Sequence, residues 1–223
     1  MIYGSIPKDA WKGETVVCIA SGTSLTDHDV AFVQRMRAQG RCKVIVVNNN
    51  YIKAPWADHL HACDRQFFDW HEKGSVFRHL TMPMTTLATE FSSEMRRRKV
   101  YALRQVHPHG LWMDCTSCCA TGGNSGYQAV NIAAHYGSAR ILLLGYDCQA
   151  KTTDNVTKTH WFGSHPSPTD PSAYLTYFEY WKTLPAALAA HGLTVINCTR
   201  ETALDMFPRM SIEAAFGEAE DGQ

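Results

Sequence analysis

The residues best suited to acid–base chemistry lie in one short polar string. His160 and His165 flank Trp161, Phe162 and Gly163 in HWFGSHP. An imidazole titrating near neutrality can take the proton from a hydroxyl as it attacks, and the aromatic pair offers faces for stacking on a base or sugar. Asp147 follows the aliphatic run Ile141 to Leu144 in Gly145-Tyr146-Asp147. It can bind ribose hydroxyls, orient one of the histidines, or cap a turn. Two clusters carry no bulky side chain: Ser21-Gly22-Thr23-Ser24, and Thr121-Gly122-Gly123-Asn124-Ser125-Gly126. Such loops let backbone N–H groups approach a ligand. A helix starting at Asn124 or Ser125 aims its unpaired N–H groups and positive dipole end at an anion. The plainer alternative for the second loop is a glycine-rich turn between packed elements.

Asn48, Asn49 and Asn50 follow another apolar run. They suit a turn, because Asn tolerates left-handed backbone angles, or they present amides to a base or ribose. The second reading is preferred, since two successive strands then end in small polar clusters. Asp64 stands at the end of a third strand. Other chemistries fit less well. Ser125 lacks the G-x-S-x-G elbow of a hydrolase, no Gly-Lys-Ser/Thr follows a glycine loop, and neither loop reads G-x-G-x-x-G. Cys115 and Cys118 form a C-x-x-C with His107 and His109 upstream, a spacing tighter than ordinary zinc modules. Asp27-His28-Asp29 resembles the D-x-D of metal-dependent sugar transferases, but its place at a helix start makes capping the simpler role. No metal site is assigned.

The surrounding pattern supplies the elements that must hold these groups. Apolar runs over Thr15–Ala20, Lys43–Val47, Ala57–Asp64, Val100–Val106, Ile141–Leu144 and Leu193–Asn197 read as strands. Helical spacing or start signals mark Asp29–Gln39, a helix from Arg65 to His71, Glu90–Arg98, the helix up to Gly137, and Tyr174–His191, which Pro185 should kink or split. The alternation predicts an α/β fold: a single-domain, Rossmann-like, three-layer α/β/α arrangement with a mostly parallel sheet. The domain is expected to span 1–216. Residues 148–172 form a polar lid or loop segment, and 217–223 a frayed tail.

Composition narrows the setting. The 223 residues hold 21 Lys and Arg against 21 Asp and Glu, which argues against bulk-charge attraction to nucleic acid. Met1 to Trp11 lacks a hydrophobic segment and no run is long enough to span a membrane. Free thiols and a cytoplasmic location are therefore expected for its eight cysteines. Arg96-Arg97-Arg98-Lys99 is the one basic run, most simply a solvated helix end.

SGTSL, VVNNNY, the long string TGGNSGYQAVNIAAHYGSARILLLGYD and HWFGSHP resemble the bacterial sialyltransferases and their wider sialyltransferase-like relatives. The chain also resembles short, often phage-encoded proteins sharing TGGNSG and HWFGxHP. The resemblance implies a nucleotide facing Gly22, Thr23, Ser24, Asn48, Thr121, Gly122, Asn124 and Ser125. Ser21, Asn49, Asp64 and Gly123 belong to the same loops and strand ends, and His160 or His165 would be the base. It also implies a glycosyltransferase moving sugar from a CMP- or UDP-type nucleotide sugar, a co-substrate with no further cofactor, to a hydroxyl. In a phage setting, a modified DNA base is a natural acceptor. The alternatives are pyrophosphoryl transfer on the same sheet, or nucleotide binding without turnover. One glycine stands in the first loop where relatives often have two, and no acceptor region matches.

Overall fold

The aliphatic runs become the inner strands of a seven-stranded sheet whose pairings are all parallel. A computed structural model describes residues 4–71, 73–153, 156–163 and 173–219. The chain opens with β1 (Thr15–Ile19), α1 (Asp27–Ala38), β2 (Lys43–Val47) and a 3-10 turn over Asn48–Ile52. Next come β3 (His59–His61), α2 (Arg65–His71), α3 (Ser75–Arg78), β4 (Met84–Thr86), α4 (Ser93–Arg97) and β5 (Tyr101–Ala102). β6 (Arg104–Gln105) and β7 (Cys118–Cys119) form a small sheet of their own, followed by α5 (Ser125–His135) and β8 (Arg140–Leu144). A hairpin of β9 (Lys151–Thr153) and β10 (Val156–Lys158) leads to α6 (Ala173–Trp181), α7 (Leu184–Ala190), β11 (Thr194–Asn197) and α8 (Ile212–Ala215).

The main sheet runs in the order β11-β8-β1-β2-β3-β4-β5. Alternate residues of its strands feed two cores. Val17, Ile19, Val44, Val46, Leu142 and Leu144 pack with Val30, Val33 and Met36 of α1 and Phe216 beyond α8. Val16, Cys18, Ile45, Val47, Ile141 and Leu143 pack with α5 and with Trp181, Leu184 and Leu188. Burial on both faces is why the strands read as unbroken apolar runs. The layers are helices, sheet, helices: a single-domain Rossmann-like fold.

Several boundaries differ from the expected ones. α1 starts two residues earlier, because Thr26 accepts from the Asp29 N–H while the Asp29 carboxylate accepts from the Thr26 N–H, a reciprocal cap. The Val100–Val106 strand is broken at Leu103. The Leu103 N–H reaches Thr86 O at 2.8 Å in the main sheet, and the Arg104 N–H reaches Ser117 O at 2.8 Å in the small one. The charged helix shrinks to Ser93–Arg97. Pro185 does split the last long helix, entering the first turn of α7, where its missing N–H costs no helical hydrogen bond. α5 is buried almost all round.

Candidate functional site

The strand order reverses between β8 and β1, so their connections diverge and leave a crevice at the carboxyl ends of the strands. The two loops are fastened across it by Gly22 N–H to Gly145 O and Ala20 N–H to Leu144 O, both 2.8 Å. The crevice is a cavity of about 530 Å³. Ser21 and Gly22 line it after β1, Asn48 after β2, Cys63 and Asp64 after β3, and Tyr146, Asp147 and Cys148 after β8. Gly123, Asn124, Ser125 and Gly126 close it from the start of α5, with His160, Tyr174 and Tyr177 on the remaining side. The two small-residue turns therefore meet at one rim.

Asn124 is the N-cap of α5. Its Oδ1 accepts from the Tyr127 N–H at 2.9 Å, and its Nδ2 donates to Gly122 O at 3.0 Å. Its side chain is thus spent on the turn. The free donors are backbone: among the described residues, the Ser125 and Gly126 N–H groups have no partner. Ser125 Oγ donates to Asn48 Oδ1 at 3.4 Å and accepts from the Cys63 N–H at 3.3 Å, linking the start of α5 to the ends of β2 and β3. The turn needs its glycines. Gly122 and Gly123 have φ of 50° and 73°, and a Cβ on either would strike the Tyr127 or Tyr177 ring.

Asp147 does not reach into the cavity as a free carboxylate. It accepts from Ser24 Oγ at 2.6 Å, the Ser24 N–H at 2.8 Å and Thr23 Oγ1 at 3.1 Å. Burial pushes its pKa up against these donors. Of the three roles expected for it, these bonds are those of a residue that holds a turn, here the β1 loop, and Thr23 and Ser24, expected at the nucleotide, face Asp147 instead. Thr121, Gly122 and Asn49 also fall outside the cavity lining. Gly22 shows how tight the staple is, since a Cβ there would lie 2.0 Å from Asp147 Oδ1 and 2.6 Å from Gly145 O. Gly22→Ala is expected to destabilise the fold by about 2–3 kcal/mol, read as a drop in Tm of about 5–10 °C. An unchanged melting curve would show that the loop relaxes freely.

His160 lies at the cavity, its Nδ1 3.0 Å from Ser21 Oγ and its ring stacked on Phe162 at 4.9 Å. It is positioned by its neighbour. The Trp161 N–H donates to Ser21 O at 3.0 Å, Trp161 Nε1 donates to Asn50 Oδ1 at 2.9 Å, and Lys53 caps the indole face. Trp161 and Phe162 therefore anchor His160 rather than stack on a ligand, a correction to the expected role. Tyr174 and Tyr177, one turn apart on α6, supply the aromatic wall. His165 and residues 164–172 of the expected lid lie outside the described residues; the lid's earlier part holds the β9–β10 hairpin.

Beneath the second loop runs a buried chain of polar side chains absent from the expected site. Thr121 O is a pure acceptor, so Gln128 Nε2 donates to it at 2.9 Å, and Gln128 Oε1 must accept from His61 Nε2–H at 2.7 Å. His61 Nδ1 then accepts from Thr85 Oγ1 at 2.9 Å, Thr85 accepts from His59 Nε2–H at 2.8 Å, and Tyr136 O–H donates to His59 Nδ1 at 2.9 Å. With both rings neutral, as burial favours, one carbonyl thus fixes every tautomer in the chain. Burial drives His59 down to about 3, with the neighbouring His61 adding to it, and burial drives His61 down to about 4.

Elsewhere, His107 packs on Trp112 and His109 on Tyr180. Among the described residues, the one group of three convergent metal donors is His28, Asp29 and Glu213, where Arg200 already clasps Asp29 through three hydrogen bonds. Arg65 and Arg96 border a separate cleft of about 420 Å³ with Glu90 and Phe91. No described helix is long and apolar enough to cross a membrane. Comparison of the chain with family models, with curated proteins and with solved structures returns no match.

Proposed function

We propose that the cavity holds a nucleotide sugar and that the chain transfers its sugar to a hydroxyl acceptor without a metal ion. The observation that carries this reading is the convergence of two small-residue turns, a helix N-terminus with two unpartnered N–H groups, and an anchored histidine on one crevice. In the tautomer whose Nδ1–H is donated to Ser21, the His160 Nε2 lone pair takes the acceptor's proton. The acceptor oxygen attacks the anomeric carbon, the bond from that carbon to the phosphate oxygen breaks, and the nucleotide leaves. The Ser125 and Gly126 N–H groups meet the charge that develops on the phosphate.

The lining favours a CMP-type donor over a UDP-type one. It contains no Lys or Arg among the described residues, so two backbone donors and a helix dipole must balance the phosphate charge. One phosphate suits that set better than two. Pyrophosphoryl transfer is less favoured, because it calls for carboxylates around Mg²⁺ and the lining offers Asp64 beside an Asp147 already engaged by three donors. Thermal-shift titration against CMP, UDP, GDP and their sugars is expected to raise Tm most with the cytidine compounds, and EDTA should leave release of free nucleotide unchanged. Silence across the panel would favour a binding protein for some other ligand. A modified DNA base is one acceptor class; reversing the charges of Arg96, Arg97 and Arg98 should then weaken duplex binding and flatten its salt dependence.

A further inference from the structure

We propose that Cys115 and Cys118 form a redox-active dithiol that exchanges with low-molecular-weight disulfides at a site separate from the cavity. The Cys118 N–H donates to Cys115 O at 3.0 Å, closing a four-residue turn whose ends lie within about 7 Å, the range a disulfide spans. The turn is pinned at its two central residues, with Thr116 O accepting from the Ile6 N–H at 2.9 Å and Ser117 O from the Arg104 N–H at 2.8 Å. His135, at the far end of α5 from Asn124, donates to Cys118 O at 2.9 Å. Eleven helical residues, about 16 Å, thus separate this turn from the cavity rim.

The two thiols are unequal in a way that suits exchange. Cys115 is half-buried and lies 2.9 Å from Ser117 Oγ and 3.6 Å from the guanidinium of the exposed Arg104. Cys118 is 6% exposed and within hydrogen-bond reach of the Cys115 thiol. Ser117, with Cys118 and Arg104, draws Cys115 down to about 7, whereas burial lifts Cys18, Cys42, Cys63 and Cys198 to about 12. Burial and then the Cys115 thiol raise Cys118. Cys119, next in sequence, is turned into the core.

The exchange balances in two steps. The Cys115 thiolate attacks one sulfur of a disulfide RSSR, forming a mixed disulfide and releasing RS⁻. That bond removes the negative charge beside Cys118, whose thiol gives its proton to RS⁻ and attacks the Cys115 sulfur, breaking its bond to the second RS, which leaves as RS⁻ and takes up from solvent the proton Cys115 had released. The products are the Cys115–Cys118 disulfide and two RSH, with two electrons passed from the protein to the small disulfide.

Reduced full-length protein incubated with glutathione disulfide is expected to lose two hydrogens, mapped to the peptide joining Cys115 and Cys118. Cys118→Ser should stop at one glutathione on Cys115. Alkylation of Cys115 by iodoacetamide should follow a pH midpoint near 7 and, at pH 7, run about fivefold faster than an ordinary exposed thiol, since lower basicity offsets part of the gain in thiolate. Arg104→Gln should move that midpoint upward. A stable glutathione adduct in the unaltered protein, first labelling at another cysteine, or a midpoint near 9 would each overturn the proposal. None of these readouts depends on sugar transfer.

Discussion

Lowering the pH from 7 to about 4.5 is expected to remove about 5 kcal/mol of folding stability. The source is the pair His59 and His61, 1% and 0% exposed, held neutral by burial within the chain from Tyr136 to Thr121. Their native values of about 3 and about 4 lie below the ordinary 6.5. The unfolded chain therefore binds more protons, and the stability present above 6.5 is lost as pH falls toward the native values. Two units below 6.5, each ring contributes about 2.7 kcal/mol. Urea unfolding between pH 7 and 4.5 checks the expectation. A loss below about 1 kcal/mol would mean that the rings gain protons without disturbing the chain. The loss also reaches the cavity, because Gln128, the last member, holds Thr121 O at the foot of the turn.

His160→Ala is expected to lower sugar transfer by about 10²–10⁴-fold while leaving the Kd for the nucleotide within about threefold, since the phosphate is assigned to backbone groups. His160→Gln, which can keep a hydrogen bond to Ser21, should restore nucleotide-loop order but not transfer. A kcat close to the unaltered protein's in either variant would remove the histidine from the reaction and make Asp64, which also lines the cavity, the next candidate. A fall in binding equal to the fall in turnover would make His160 a ligand contact instead.

The sheet was legible because its central strands are buried on both faces and therefore written as bare apolar runs: VVCI, VIVV and ILLL. The α5 N-terminus was legible because Asn124 and the glycines before it are demanded by the cap and by positive φ. The partners of those loops were not. Ser24 and Thr23 look like ligand contacts in the sequence, yet Asp147, 123 residues beyond Ser24, consumes them, and only the folded sheet brings them together. Trp161 reads as a stacking face until Asn50 and Ser21 appear against it. His59 and His61 alternate in a short strand, a pattern that carries no hint that Thr85 stands between both rings. Tyr174 and Tyr177 had the one detectable signal among the unassigned cavity residues, a one-turn spacing in a segment already read as helical.

Amide chemical shifts of Ser125 and Gly126, followed by NMR as CMP or a CMP-sugar is added, test the assignment of the phosphate to the start of α5 most directly. The expected result is saturable displacement of these two resonances, shared by Gly22 and Asn48 and absent from the Cys115–Cys118 turn. Binding that leaves Ser125 and Gly126 unmoved, or moves only residues away from the crevice between β1 and β8, would contradict it.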